Sequence, residues 1–281
     1  MHVTNPKVVL ITGTSSGIGQ ACACHLAERG YRVYGTSRNA PEPGPGQAPA
    51  DPASGCLQMI TMDVTSESSI QRGIDSIYAA EGRIDVVFNN AGWGIAGAVE
   101  DTSLAEAQAQ FEVNFFGMLR VCRAVLPLFR QQRSGYIVNV SSIGGLIGMP
   151  FQALYSASKF AVEGLTESLR MEVKPYGIHV VLIEPGDFNT GFTSHRQEVA
   201  LAAESDYRDR FRRCLSVMEH DETHGPSPQQ VARLLERIIT DPSPRLRCVV
   251  GPAFEQIAIT AKKLLPYRLF EWVVMKYYRL A

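Results

Sequence analysis

Lys7-Val8-Val9-Leu10-Ile11-Thr12-Gly13-Thr14-Ser15-Ser16-Gly17-Ile18-Gly19 is the stretch on which the fold turns. Residues 7–12 form a short apolar run, and such a run bounded by glycines reads as a strand buried on both faces. Ile18, Cys22 and Leu26 then recur at helical spacing over 17–29, and Gly30 supplies the stop. A glycine-rich turn between a first strand and a first helix is the setting that a dinucleotide-binding turn requires. Glycines permit the tight bend, let backbone N–H groups approach a pyrophosphate, and seat it at the positive helix N-terminus. Gly13, Ser15, Ser16, Gly17, Ile18 and Gly19 are therefore candidate cofactor contacts. A plain strand–helix connection is the alternative, and the position directly after the first strand weighs against it.

Working outward, the alternation continues. Strands are expected over 31–37, 57–62, 84–89, 135–141, 178–184 and 246–250. Helices are expected over 67–81, 103–131 with an interruption allowed, 152–174 and 228–240, with Pro175 closing the third of these. Five prolines between 41 and 52 predict an irregular loop over 39–56. Strands alternating with helices imply right-handed crossovers and a doubly wound α/β fold, a parallel sheet of about seven strands covered on both faces. No linker interrupts residues 1–251, which predicts one domain followed by a helical extension over 252–281.

Composition narrows the function. The chain has 281 residues, 45% apolar and 20% charged, with 27 basic against 28 acidic side chains. That balance argues against nucleic acid as a partner, since phosphate neutralisation dominates such binding. No apolar run reaches the ~18 residues of a membrane span, and the start, Met-His-Val-Thr-Asn-Pro, lacks signal-peptide character. The six cysteines form no CxxC pair, so free thiols in a cytoplasmic protein are expected. His220 and His224 stand one helical turn apart. Without a third ligand a solvated helix or loop is their ordinary reading, and no metal is expected.

The dinucleotide reading can be refined. An acid about 20 residues beyond the turn usually bonds the ribose 2′-hydroxyl, but residues 31–38 contain none and end in Ser37-Arg38. A guanidinium grips a 2′-phosphate bidentately, which favours NADP(H) over NAD(H). Arg38 as a solvated surface charge is the competing reading. Farther along, Tyr155 and Lys159 lie at i,i+4 on one helical face. A phenol with pKa about 10 is a poor acid–base unless a neighbouring cation favours its phenolate. Ser142, at the end of a strand, falls on the sheet edge where ligands bind.

These residues carry a resemblance. Thr12–Gly19, Asp63-Val64, Asn89-Asn90-Ala91-Gly92, Asn114, Ser142, Tyr155 with Lys159, and Pro185-Gly186 followed by Thr190 occur in one order. Together they resemble the short-chain dehydrogenases/reductases over nearly the whole chain. The resemblance implies a Rossmann-type fold, Tyr155 as general acid–base and Ser142 polarising a carbonyl. It makes Lys159 bind the nicotinamide ribose and lower the tyrosine pKa, with Asn114 holding a relay water, or else only satisfying backbone groups. Asp63 and Val64 would meet the adenine, Asn90, Ala91 and Gly92 the adenosine side, and Pro185, Gly186 and Thr190 the nicotinamide; Asn89 would brace the sheet. Residues 187–226 would form a substrate lid, in which Phe188 and Phe192 join Met149, Ser142 and Tyr155 around substrate. Phe211, Leu215 and Met218 are also available to it.

The run Gly144–Gly164 looks most like the hydroxysteroid and retinol dehydrogenase branch. The implied reaction interconverts an alcohol and its carbonyl with NADP(H), and the mostly apolar residues 144–151 suit a steroid-, retinoid- or fatty-chain-like substrate. A regulator that binds NADPH without turnover is the alternative. A sugar-nucleotide epimerase shares the Tyr–Lys pair but needs a larger substrate domain. Family members usually pair through the helices matching 103–131 and 152–174, which predicts a homodimer or homotetramer. Phe111, Phe115, Met118, Val121, Cys122 and Val125 would line that face or lie under the sheet. The segment 262–281 is apolar and aromatic, with five cations against Glu271. Packing on its own domain or a partner subunit is the expectation, with membrane-surface contact as the lesser reading.

Overall fold

A computed structural model describes residues 6–40 and 55–281. Most of the proline-rich stretch, and the first five residues, fall outside the described residues. The first unit is β1 (Val8–Thr12), α1 (Gly17–Glu28), β2 (Arg32–Ser37) and β3 (Cys56–Thr61). It is followed by α2 (Glu67–Glu81), β4 (Val86–Asn89) and the short β5 (Ile95–Ala96). The expected helix at 103–131 is two helices, α3 (Leu104–Phe111) and α4 (Met118–Gln132), joined by a wide π-helical turn over Glu112–Gly117. Ser103 starts α3 through a reciprocal bond with Glu106, satisfying two N–H groups that would otherwise lack partners.

The second half runs β6 (Gly135–Val140), α5 (Ala153–Val173), β7 (Ile178–Pro185), α6 (Phe192–His195) and β8 (Gln197–Glu198). Then come α7 (Arg208–His224), α8 (Gln229–Thr240), β9 (Arg247–Val250), α9 (Ala253–Leu264) and α10 (Tyr267–Tyr277). Seven strands form one parallel sheet in the order β3-β2-β1-β4-β6-β7-β9. The chain winds outward in opposite senses from β1 and β4, so their carboxyl ends flank the switch point where such sheets bind ligands.

Strand alternation divides the core. Val8 and Leu10 face α2, α4 and α5, meeting Ile74, Val121, Val125 and Val162. Val9 and Ile11 face α1 and α8, meeting Ala23, Leu26, Val231 and Leu235. Each such side chain, taken fully from water, contributes about 1.5–3 kcal/mol. Met118, Val121, Cys122 and Val125 lie in the first layer, covered by the sheet. They do not form an outer face. A third cluster joins β5 and β8, which pair parallel outside the main sheet, to Phe211 and Leu215 of α7. Asn89 bonds Asn139 at 2.9 Å within the core, so it braces the sheet.

The extension is anchored but not covered. Phe270 is buried, and Lys262 Nζ reaches the Leu146 carbonyl at 2.5 Å. Leu264, Tyr267 and Trp272 remain exposed. Among the described residues no helix is long and apolar enough to cross a membrane.

Candidate active site

The turn between β1 and α1 is built to leave donors free. Gly13 and Gly17 adopt φ +71° and +60°, a region L side chains rarely enter. A Cβ on Gly13 would stand 2.8 Å from Ala91 Cα. Ser16 caps α1 without a side-chain bond, and the first turn holds no acid. The first N–H groups of α1 thus keep their hydrogen-bonding capacity and positive dipole end. An anionic pyrophosphate fits that arrangement.

Two of the expected cofactor contacts also serve the turn itself. Gly19 is buried, and a Cβ there would stand 2.2 Å from the Gly13 carbonyl oxygen, so it permits helix–turn packing. Asn90 spends its side-chain amide on the turn, donating to the Thr12 and Gly13 carbonyls at 3.0 and 2.9 Å. Thr12 Oγ1 in turn accepts from the N–H groups of Asn90 and Ala91 at 3.0 Å each. Asn90 is therefore a buttress, because its amide nitrogen already serves two carbonyls. Ile18 packs against the second core layer.

At the far end of the groove, Ser37 ends β2 and Arg38 is exposed. Burial pushes the Asp63 carboxyl up, yet its bonds from Thr65 N and Oγ1, at 2.9 and 2.8 Å, hold it below its ordinary value. Arg38 and Arg120 add to that depression, so the Arg38 cation and Asp63 share one electrostatic neighbourhood. Val64 is buried against Gly117.

Three of the expected site residues converge on Gly144. A Cβ there would meet Met149 Cε at 2.7 Å, Tyr155 Cε1 at 3.2 Å and Ser142 Oγ at 3.5 Å. The glycine lets all three crowd one point. Burial pushes the Tyr155 phenol up to about 12, and hydrogen bonding to Ser142 pulls the other way. Burial pushes Lys159 down to about 8, with Glu163 opposing. Lys159 Nζ donates to the Val140 carbonyl at 2.9 Å and lies 5.8 Å from the Tyr155 ring centre. Burial is the largest influence on the phenol, and the ammonium of Lys159 is turned to the Val140 carbonyl.

Asn114 sits fully buried in the π-helical turn. Its Oδ1 accepts from Trp93 N at 3.0 Å, and its Nδ2 donates to Trp93 O at 3.0 Å and Ser158 Oγ at 3.3 Å. The side chain ties the loop after β4 to α5, one residue from Lys159.

Residues of the segment 187–226 reach this centre at two points. Thr190 approaches Gly17, and Pro185 and Gly186 end β7, where Gly186 N–H bonds the Val250 carbonyl at 2.8 Å. The Phe192 ring meets the Tyr155 ring at 5.8 Å. Phe188 is a correction: its side chain enters the core layer against α1 and α8, so it supports the lid from beneath and cannot line a substrate site. Phe211, Leu215 and Met218 are likewise buried.

Three ionic features escaped the sequence reading. Arg196 pairs with Glu222, and Thr193 Oγ1 donates to the same carboxylate at 2.5 Å. Asp187 N–H bonds Glu255 Oε1 at 3.1 Å; burial and Glu255 push the Asp187 carboxyl up to about 9. Arg247 joins Glu163, Glu167 and Glu184 behind α5. Only Asp187 had a local signal, its place directly after the Pro-Gly pair. His220 and His224 stack at 4.2 Å on α7, with no group of three metal-ligating side chains among the described residues.

This arrangement has known counterparts. The short chain dehydrogenase family profile matches residues 7–200. A 3-ketodihydrosphingosine reductase from Bacteroides thetaiotaomicron is 41% identical over 97% of this chain and 98% of its own. A short-chain dehydrogenase structure from Streptomyces avermitilis is 31% identical, covers 97% of each chain and superposes with a TM-score of 0.77. One from Burkholderia phymatum in complex with NAD is 25% identical, with a TM-score of 0.77 over 97% of this chain and 96% of that one. With the glycine turn, the switch-point groove and the Ser142–Tyr155–Lys159 cluster in place, the chain belongs to the short-chain dehydrogenase/reductase family of oxidoreductases.

Proposed function

We propose that this protein is an NADP(H)-dependent reductase of long-chain, lipophilic carbonyl compounds, working reversibly on the corresponding alcohols. The convergence of Ser142, Tyr155 and Met149 over Gly144 carries the reading. It puts a hydroxyl donor, a proton donor and an apolar contact at one point of the switch-point groove. The nicotinamide, when bound, supplies the hydride to the carbonyl carbon or takes it back.

The chain's residues do the rest. The uncapped start of α1 would hold the pyrophosphate, and Lys159 would bind the nicotinamide ribose. Ser142 donates a hydrogen bond to the substrate oxygen. Tyr155, whose phenol burial holds protonated while Ser142 pulls the other way, would give that oxygen its proton in reduction, and its phenolate would take the alcohol proton in oxidation. Phe192 and Met149 flank the substrate's apolar body. Asp63 and Val64 would meet the adenine, and Ala91, Gly92, Pro185, Gly186 and Thr190 would line the rest of the cofactor's path. Arg38, just past the end of β2 in a stretch 31–38 without an acid, favours the 2′-phosphate of NADP(H).

For substrate, the relative's name points to a long-chain ketone such as 3-ketodihydrosphingosine. The aromatic lid and Met149 suit that chemistry. Each CH₂ buried contributes about 0.8 kcal/mol, so turnover should climb steeply with chain length across a carbonyl panel with NADPH. Faster reduction of sugars or short keto acids than of any lipophilic ketone would overturn the substrate class. Tyr155→Phe should still bind NADPH while losing about 10²–10⁴-fold in reduction. Unchanged turnover would remove Tyr155 from the chemistry; a wild type that binds NADPH and reduces nothing would make it a regulator.

Assembly and location complete the proposal. Leu104 and Phe116, on α3 and the turn after it, are exposed, and we assign that face to pairing in a homodimer or homotetramer. A monomer in light scattering would overturn this. All six cysteines are free thiols, the form a reducing cytoplasm maintains, and we place the protein there.

A further inference from the structure

The two helices of the extension have inner and outer faces of opposite character. Inward, Phe270 is buried, Lys262 bonds the Leu146 carbonyl, and Tyr277 donates to Asp221 of α7 at 2.6 Å. Outward, Ile257 and Leu264 of α9 are 67% and 77% exposed, seven residues and so two turns apart on one side. On α10, Leu269, Trp272 and Val273 are 46%, 52% and 43% exposed, at the i, i+3, i+4 spacing that defines one face. A folded domain rarely leaves so many large apolar side chains together without a partner.

Charge selects the partner. Lys263, Arg268, Lys276 and Arg279 are all exposed on the same segment, and Lys276 lies 5.8 Å from the Trp272 ring. The segment 262–281 holds five cations against one carboxylate, in a chain whose formal charge is −1. The rest of the molecule is therefore net acidic. A second copy meeting this face by two-fold symmetry would bring like charges together. An apolar stripe with tryptophan and tyrosine, flanked by lysine and arginine, matches an anionic bilayer surface instead.

We infer that α9 and α10 dock this protein on the surface of anionic membranes, with Leu264, Leu269 and Trp272 entering the interfacial region. The location has a consequence for the lid. Glu255 of α9 holds Asp187 at the start of the lid, and Tyr277 of α10 holds α7. The docked helices are thus the ones that brace the substrate side, and a lipid-borne substrate would leave the bilayer beside the lid.

The test is flotation of the full chain with phosphatidylcholine vesicles, with and without phosphatidylglycerol. The inference expects binding that rises with phosphatidylglycerol and falls with salt. Lys263→Glu combined with Arg268→Glu should weaken it at least tenfold, each basic side chain near the surface being worth about fivefold. Leu269→Glu with Trp272→Glu should abolish it, while circular dichroism and the melting temperature stay those of a folded chain. In a Trp93→Phe background, Trp272 emission should shift to the blue on vesicle addition. No flotation with either vesicle, or flotation unchanged by both double variants, would overturn the inference. So would a stable dimer that the Leu269/Trp272 variant dissociates. None of these readouts requires turnover, so they stand apart from the proposed reaction.

Discussion

The Phe192 ring meets the Tyr155 ring edge-on, centres 5.8 Å apart and planes at 61°. The segment after β7 and the proposed proton donor therefore share a contact. Phe192 also fills the space over Gly94, where a Cβ would stand 2.7 Å from its ring. Removing the ring would take away the apolar contact beside Tyr155 in the proposed substrate site. Phe192→Ala should raise the KM for a long-chain ketone about tenfold, the loss of roughly 1.5 kcal/mol of aromatic burial and contact. NADPH affinity, measured by fluorescence titration, should stay within a factor of two or so on the same scale. A variant that loses NADPH affinity but keeps its substrate KM would place Phe192 at the cofactor instead.

Arg38 is exposed at the end of the groove, and it helps hold Asp63 ionised. Its contribution to NADPH should come from a charge-assisted phosphate contact worth roughly 1.5–3 kcal/mol. Arg38→Ala should then raise the NADPH KM about tenfold or more and leave NADH nearly unchanged. Arg38→Asp should go further and invert the preference. Steady-state kinetics with both cofactors decides the matter, and equal wild-type efficiency with NADH would sink the assignment.

How far the sequence could be read depends on the range of each interaction. The turn at 12–19 and the Tyr155–Lys159 pair are local patterns, and local patterns survive in one dimension. The sheet followed from the alternation of apolar runs. Arg196 and Glu222 are 26 residues apart, and Asp187 and Glu255 are 68 apart; no periodicity links either pair. Phe188 and Phe192 are both aromatic and four residues apart, yet one enters the core and the other the site. Nothing local distinguishes them, because the side of the chain that faces the sheet is set by how the segment docks. β5 and β8 have two residues each, too few to show alternation. The uncovered outer face of α9 and α10 was also beyond reach, since amphipathic spacing does not say what the apolar side meets.

Asp187 and Glu255 give the protein a pH-dependent weakness. Burial and the neighbouring carboxylate raise Asp187 from the ordinary 3.8 to about 9. The folded state thus holds a proton that the unfolded chain releases near pH 4. Stability from this group is complete below the unfolded pKa and declines as pH rises through the window up to about 9. Glu255→Gln removes the like charge and keeps an acceptor for Asp187 N–H. Its melting temperature should match the wild type in acid and exceed it increasingly toward pH 9. Parallel melting curves across that range would separate the pair from the pH response.

A line of buried amides fastens the sheet to the helix that carries Tyr155. Asn89 Nδ2 donates to Asn139 Oδ1 at 2.9 Å, Asn139 Nδ2 donates to Thr166 Oγ1 at 3.0 Å, and Thr166 donates to the Val162 carbonyl at 2.7 Å. All three residues are buried, so any donor left without an acceptor pays its full desolvation cost, about 1–3 kcal/mol. Thr166→Val nearly conserves shape but takes the acceptor from Asn139. It should destabilise by that amount in urea unfolding, with an unchanged slope. Asn139→Ala leaves the Asn89 amide only the Cys122 sulfur, at 3.3 Å, and opens a cavity, so its cost should be larger, about 2–4 kcal/mol. The double variant discriminates a connected line from two independent contacts. If the line is connected, Asn139→Ala already removes what Thr166→Val would disturb, and the pair should cost less than the separate effects added together. Full additivity would mean that Thr166 stabilises α5 only through its own Val162 bond, and that the sheet and the catalytic helix are joined elsewhere.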